Sequence, residues 1–244
     1  MNGPRSRLIV ALDLPDRAHA LQAVDRLAGH VGTFKVGLEL FVREGPSLVE
    51  TILARDERVF LDLKLHDIPN TVAGAVKSAC RLGVQMLTLH AAGGQRMLEA
   101  AREAAAAASH PPLLLAVTAL TSLSHDDLAS IGISEEVDAW VGRLAAIALR
   151  AGIGGLVASP LEVARLRSQA GPGIRIVTPG IRPAGLDTQD QSRTAEPGQA
   201  ILAGADYLVV GRPILRAADP AAAASSIAGE VERALNRLQG SKKV

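Results

Sequence analysis

Eight short runs of aliphatic residues alternate with longer Ala- and Leu-rich stretches along the whole chain, and this alternation narrows the fold more than any other feature. Strands are expected over residues 8–13, 33–38, 58–64, 85–90, 113–118, 155–159, 174–178 and 207–211. Helical segments are expected at 16–28, 70–82, 95–108, 135–151, 161–170 and 219–238. Strand and helix in strict alternation build a parallel sheet, because each helical crossover carries the chain back to start the next strand in the same direction. Eight such units in 244 residues, 48% of them hydrophobic, imply an α/β fold of the (β/α)8 TIM-barrel class, one domain spanning residues 1–244.

Several boundaries carry their own chemistry. Pro15-Asp16, Ser159-Pro160 and Asp219-Pro220 have the residues of helix starts, and Gly83, Gly171 and Gly204 those of helix stops. The glycines at 152, 154 and 155 lack a full dinucleotide fingerprint and follow a helix, so they read as a helix stop before the sixth strand.

Charge excludes some partners. With 26 basic and 25 acidic residues the net charge is +1, so no broad field attracts nucleic acid or a membrane surface and any phosphate recognition must be local. Aromatic residues make up 2% of the chain, which leaves no stacking platform for single-stranded nucleic acid. The first apolar run, residues 8–12, is stopped by Asp13 far short of a signal segment or membrane span. The single cysteine, Cys80, has no internal disulfide partner and is expected as a buried spacer on a helix. A cytoplasmic protein with neither membrane nor nucleic-acid partners is expected.

The third strand is the chemical anomaly. Alternate residues of a strand share a face, so Leu61, Leu63 and Leu65 should point one way and Asp62, Lys64 and His66 the other. A buried carboxylate and ammonium cost several kcal/mol each in desolvation unless paired and hydrogen-bonded, so such a strand is a poor device for stability alone. The first strand runs into Asp13, and the second carries Lys35 between Phe34 and Val36, which should face away from it. Alternating charges on three neighbouring strands, at the end of the barrel where such folds hold their sites, point to catalysis rather than to an ion-pair plug. His66 and His90 are read as satisfied histidines near strand ends, since no His or Cys cluster has transition-metal spacing.

The last two strands point to phosphate. Thr178-Pro179-Gly180-Ile181-Arg182 follows the seventh strand and Val210-Gly211-Arg212-Pro213 the eighth. Loops at these two positions commonly hold phosphate with backbone N–H groups, a helix N-terminus and a cation. Arg182 and Arg212 can supply forked, charge-assisted hydrogen bonds.

Taken together, these residues closely resemble the orotidine 5'-phosphate decarboxylase family. The resemblance covers nearly the full length and includes Ala11-Leu12-Asp13, the stretch from Phe34 to Phe41, and the run Asp62-Leu63-Lys64-Leu65-His66-Asp67-Ile68-Pro69-Asn70-Thr71. It continues through His90 to Gly94, Val117 to Ser122, Thr178 to Arg182, Asp190-Gln191 and Val210 to Arg212. It implies that Lys35, Asp62, Lys64 and Asp67 form the catalytic charge network, with Lys64 the proton donor. It implies that Asp13 and Lys35 contact the ribose, Asp62 the reacting end of the substrate, Thr121 the pyrimidine edge and Gln191 the base and phosphate. Arg182, Gly211 and Arg212 would hold the phosphate. Asp67, Ile68 and Thr71 would reach into a partner subunit's site, making the active unit a homodimer. The implied reaction converts orotidine 5'-phosphate to UMP and CO2 with no cofactor and no metal, the last step of de novo pyrimidine nucleotide synthesis.

Two rivals are separable. Magnesium-dependent sugar-phosphate enzymes of the same superfamily share the Asp-x-Lys-x-x-Asp pattern but place a metal-binding Glu on the second strand, where this chain has Lys35, whose ammonium would repel the cation. A nucleotide-binding protein without activity would not require the costly cluster of Lys35, Asp62 and Lys64.

Overall fold

The computed structural model describes residues 3–184 and 194–240. Within them, eight parallel strands close on themselves in sequence order: β1 (Leu8–Ala11), β2 (Thr33–Gly37), β3 (Val59–Leu65), β4 (Met86–His90), β5 (Leu113–Val117), β6 (Gly155–Val157), β7 (Arg175–Thr178) and β8 (Tyr207–Val210). Closure is carried by β1, which pairs with β2 through Val10↔Phe34 and with β8 through Ile9↔Val209. The (β/α)8 barrel expected from the alternation is therefore present, with each strand within a few residues of its expected limits.

Period-two patterning sorts the two faces of this sheet. Ile9, Ala11, Phe60, Met86, Leu115, Val177 and Val209 meet inside the barrel, whereas Leu8, Val10, Phe34, Val36, Leu61, Leu87 and Leu89 pack outward among the helices. Both layers are dry, and side chains such as Phe34 and Phe60 have essentially no exposure. Each contributes roughly 1.5–3 kcal/mol of burial free energy. The inner plug makes the barrel a solid pedestal, so a site built by the strands lies above it, at their C-terminal ends.

The helix boundaries follow the capping residues. Asp16 precedes the helix Arg17–Leu27 and its carboxylate accepts the His19 backbone N–H at 2.9 Å, and Asp219 accepts from Ala222 N–H at 3.0 Å at the start of the last helix, Pro220–Gly240. Gly83, Gly171 and Gly204 end their helices at φ of 80°, 72° and 112°, values that a side chain resists. Residues 161–162, expected in a helix, instead belong to a 3-10 turn, Pro160–Glu162, closed by a capping box from Ser159, and the α-helix begins at Val163. Cys80 is half-buried rather than the buried spacer expected, and burial pushes its thiol pKa up. Among the described residues no helix is long and apolar enough to cross a membrane.

Candidate active site

The polar strand ends converge on one cleft of about 230 Å³, lined by Ala11, Phe60, Val157 and Val209 as its apolar floor and by Asp13, Lys35, Asp62, Lys64, Thr121, Arg182, Gly211 and Arg212 above it. Eight of the residues singled out in the sequence thus share one opening.

Its charged edge is a chain of alternating sign running across three strands. Lys35 Nζ lies 3.5 Å from Asp13 Oδ1 and 3.4 Å from Asp62 Oδ2. Lys64 Nζ donates to both Asp62 oxygens at 2.9 Å. Asp62 is the hub and is only 9% exposed. Burial raises its pKa, but the ammonium groups of Lys35 and Lys64, with hydrogen bonds from Lys64 and Thr88, outweigh that effect and hold it below the usual carboxylate range. The carboxylate therefore stays ionised, and both lysines face a fixed negative neighbour. Gly37 gives the cluster its closeness: a Cβ there would stand 3.1 Å from Lys35 Nζ.

The simple alternation expected along β3 stops at Lys64. Its φ is 50°, a left-handed conformation uncommon for a residue with a side chain, and the register between β3 and β4 shifts between Leu61 and Leu65. Lys64 still reaches Asp62, but His66 lies past the strand end and is exposed. Thr88, which the sequence pattern does not single out, fills the irregularity. Its hydroxyl accepts the Lys64 backbone N–H at 2.9 Å and donates to Asp62 Oδ1 at 2.9 Å. A period-two reading of Met86–His90 puts Met86, Thr88 and His90 on one face, and that is the signal that could have found it.

The expectation that His90 is satisfied is not met. Its ring stacks on His66 with centroids 5.4 Å apart, and among the described residues its buried Nδ1 has no hydrogen-bond partner. Burial, then the nearby His66 and Lys64, push its pKa down, so the ring is neutral at pH 7. Among the described residues no group of three or more His, Cys, Asp or Glu side chains is placed to hold a metal ion.

The phosphate side is more built than isolated arginines on turns. Arg182 is 8% exposed, and its guanidinium donates to the Ile181 carbonyl at 2.9 Å. The turn before it uses Gly180 at φ 78°. Arg182 N–H donates to the Ala195 carbonyl and Ala195 N–H to that of Gly180, tying the two sides of this loop together. Gly211 and Arg212 leave β8 directly into the same cleft. Gln191 falls outside the described residues.

Asp67, Ile68 and Thr71 do not line this cleft; all three are exposed, with Ile68 at 67%. Asp67 accepts the N–H of Ile68 at 2.6 Å rather than meeting Lys64 of its own chain. Within one chain the structure thus joins three of the four expected catalytic charges.

Residues 6–227 match the family model described as Orotidine 5'-phosphate decarboxylase / HUMPS family. The orotidine 5'-phosphate decarboxylase of Moorella thermoacetica is 53% identical over 234 residues, covering 93% of each chain. That of Syntrophotalea carbinolica is 51% identical, covering 95% of this chain and 97% of its own. The crystal structure of orotidine 5'-phosphate decarboxylase from Lactobacillus acidophilus superposes with a TM-score of 0.83 at 39% identity, over 92% of this chain and 98% of that one.

Proposed function

This chain is an enzyme of the orotidine 5'-phosphate decarboxylase / HUMPS family, and from that premise we propose that it converts orotidine 5'-phosphate to UMP and CO2 without a cofactor. The observation that carries the reading is the Asp13–Lys35–Asp62–Lys64 chain on one side of the cleft, with Arg182 and Arg212 lining the same opening.

Loss of CO2 from C6 of the orotate ring leaves an electron pair in an in-plane orbital that the ring cannot delocalise. The carbanion must then be stabilised by charges already in place. Lys64 Nζ, held between both oxygens of Asp62, presents an ammonium whose position is set before the nucleotide arrives. In the proposed step the C6–carboxylate bond breaks, the pair stays on C6, CO2 departs, and an Nζ proton moves to C6 to give UMP; solvent then reprotonates the amine. Both tasks fall to the same Nζ, and Asp62, bonded to it through both oxygens at 2.9 Å, fixes where it stands.

The remaining groups bind. Asp13 and Lys35 take the ribose, Thr121 the pyrimidine edge, and Arg182, Gly211 and Arg212 the phosphate, with Gln191 completing that end. Phosphate contacts remote from C6 supply binding energy that aligns the reacting carbon with Lys64. The sugar-phosphate reading within the same superfamily needs a metal ligand on β2, and the ammonium of Lys35 beside Asp62 occupies that place instead.

The proposed working unit is a cytoplasmic homodimer. Asp67, Ile68 and Thr71 are exposed and do not line the cleft of their own chain, and Leu38 and Val42, on the helix leaving β2, are exposed at 59% and 76%. A partner subunit covering this surface would receive Asp67 as the fourth charge of its own site.

The test is spectrophotometric: loss of orotidine 5'-phosphate absorbance with stoichiometric UMP, in EDTA. Turnover that persists in chelator supports the reading. Binding of UMP with no conversion, or activity abolished by chelator, refutes it.

A further inference from the structure

We infer that Thr88 is a positioning residue for the reaction: its hydroxyl fixes both the carboxylate of Asp62 and the backbone of Lys64, and so sets where the ammonium stands. The inference rests on the decarboxylase reading above and adds a residue that is fully buried and does not line the cleft.

The need for such a residue arises in the sheet. Between the pairs Leu61↔Leu87 and Leu65↔Leu89, β3 advances four residues while β4 advances two. Asp62 and Lys64, which both line the cleft, lie in this irregular stretch, and the Lys64 N–H is taken by a side chain. A buried N–H needs a partner. Thr88 Oγ1 is that partner at 2.9 Å.

The same oxygen has one proton to give, and it goes to Asp62 Oδ1 at 2.9 Å. Asp62 in turn holds Lys64 Nζ. Thr88, Asp62 and Lys64 therefore form a closed loop of hydrogen bonds, in which the backbone end of Lys64 is tied by the hydroxyl and the ammonium end by the carboxylate. Thr88 has no exposure to solvent, so water cannot replace the hydroxyl without opening the barrel. The left-handed conformation of Lys64 is one that L-residues adopt only when surrounding contacts over-determine it, and the Thr88 contact is the one on its N–H.

The discriminating variant is Thr88→Val, which keeps the shape and removes the hydroxyl. With Lys64 and Asp62 free to drift, turnover should fall roughly ten- to hundred-fold, the scale of an ångström of misplacement. The UMP dissociation constant should change less than about threefold, because the phosphate and ribose contacts come from other strands. Thr88→Ser should recover kcat to within about threefold of wild type. If Val proves unable to fold, Thr88→Ala read against Thr88→Ser gives the same comparison, since that pair differs by one oxygen.

Equal kcat for the variants with and without the hydroxyl would overturn the inference, as would a loss expressed only in UMP binding. Wild-type enzyme in the same assay separates the two levels: an inactive wild type sinks the functional reading itself, whereas an active wild type matched by Thr88→Val sinks Thr88 alone.

Discussion

Replacing Asp62 by Asn removes the carboxylate that meets both Lys35 and Lys64 while conserving side-chain shape. Lys35 Nζ then loses a carboxylate at 3.4 Å and Lys64 Nζ one at 2.9 Å. At an effective dielectric near 20 these contacts are gross attractions of roughly 5 and 6 kcal/mol, most of it offset by desolvation. Removing one partner of a buried pair costs about 3–5 kcal/mol, because the survivor stays buried unpaired. Lys64 is 38% exposed and Lys35 only 12%, so water relieves the first and the loss belongs near the lower figure. A loss of about 3 kcal/mol lowers Tm by roughly 6–12 °C in a domain of this size. A similar loss in the transition state slows turnover by at least about a hundredfold.

The pH dependence supplies the sign. Because the folded-state pKa of Asp62 lies below its ordinary 3.8, ionised Asp62 contributes its full stabilisation above that value and loses it as pH falls through the depressed one. Asn does not titrate. The Tm gap between wild type and Asp62→Asn should therefore be widest near neutrality and narrow below pH 3.8. Thermal melts followed by circular dichroism from pH 7 downward, with decarboxylation rates at pH 7, measure both. A variant as stable and as fast as wild type, or a gap that does not close in acid, refutes the hub role.

Three further outcomes follow from the same geometry. Gly37→Ala is allowed by its backbone (φ −87°) but brings a methyl to 3.1 Å from Lys35 Nζ; kcat should drop about three- to tenfold with little change in melting temperature, and unaltered turnover would show that Lys35 has slack. Arg212→Met should raise KM and also lower kcat by at least about tenfold, since remote phosphate binding aligns C6; a change in KM alone would deny that coupling. Mixed dimers of inactive Lys64→Ala and Asp67→Ala subunits should regain partial activity through one intact composite site; no recovery despite proven subunit exchange refutes a shared site.

Much of this site is legible in the sequence because period-two patterning survives in parallel strands. Alternation alone assigns Lys35, between Phe34 and Val36, and Asp62, between Leu61 and Leu63, to the inner face, and the barrel order then makes β1, β2 and β3 neighbours. Alternation puts Thr88 on the inner face with Met86 and His90, but its contact with Asp62 is not legible, because it depends on the register of β4 against an irregular β3. Nothing in a lysine side chain announces a φ of 50°. The β2–β3 connection hides two helices, Leu38–Glu44 and Pro46–Leu53, each too short to show a helical period across the Gly45-Pro46 break. Asp67 stands three residues after Lys64 in the motif, yet its carboxylate bonds to the N–H of Ile68 instead, which sequence spacing alone does not reveal.

The proposed reaction needs a proton delivered to C6 from Lys64 Nζ, and Lys64→Ala tests that step most directly when UMP affinity and decarboxylation rate are measured side by side. Retained nucleotide binding with turnover reduced by orders of magnitude is the predicted result; turnover close to wild type would contradict it.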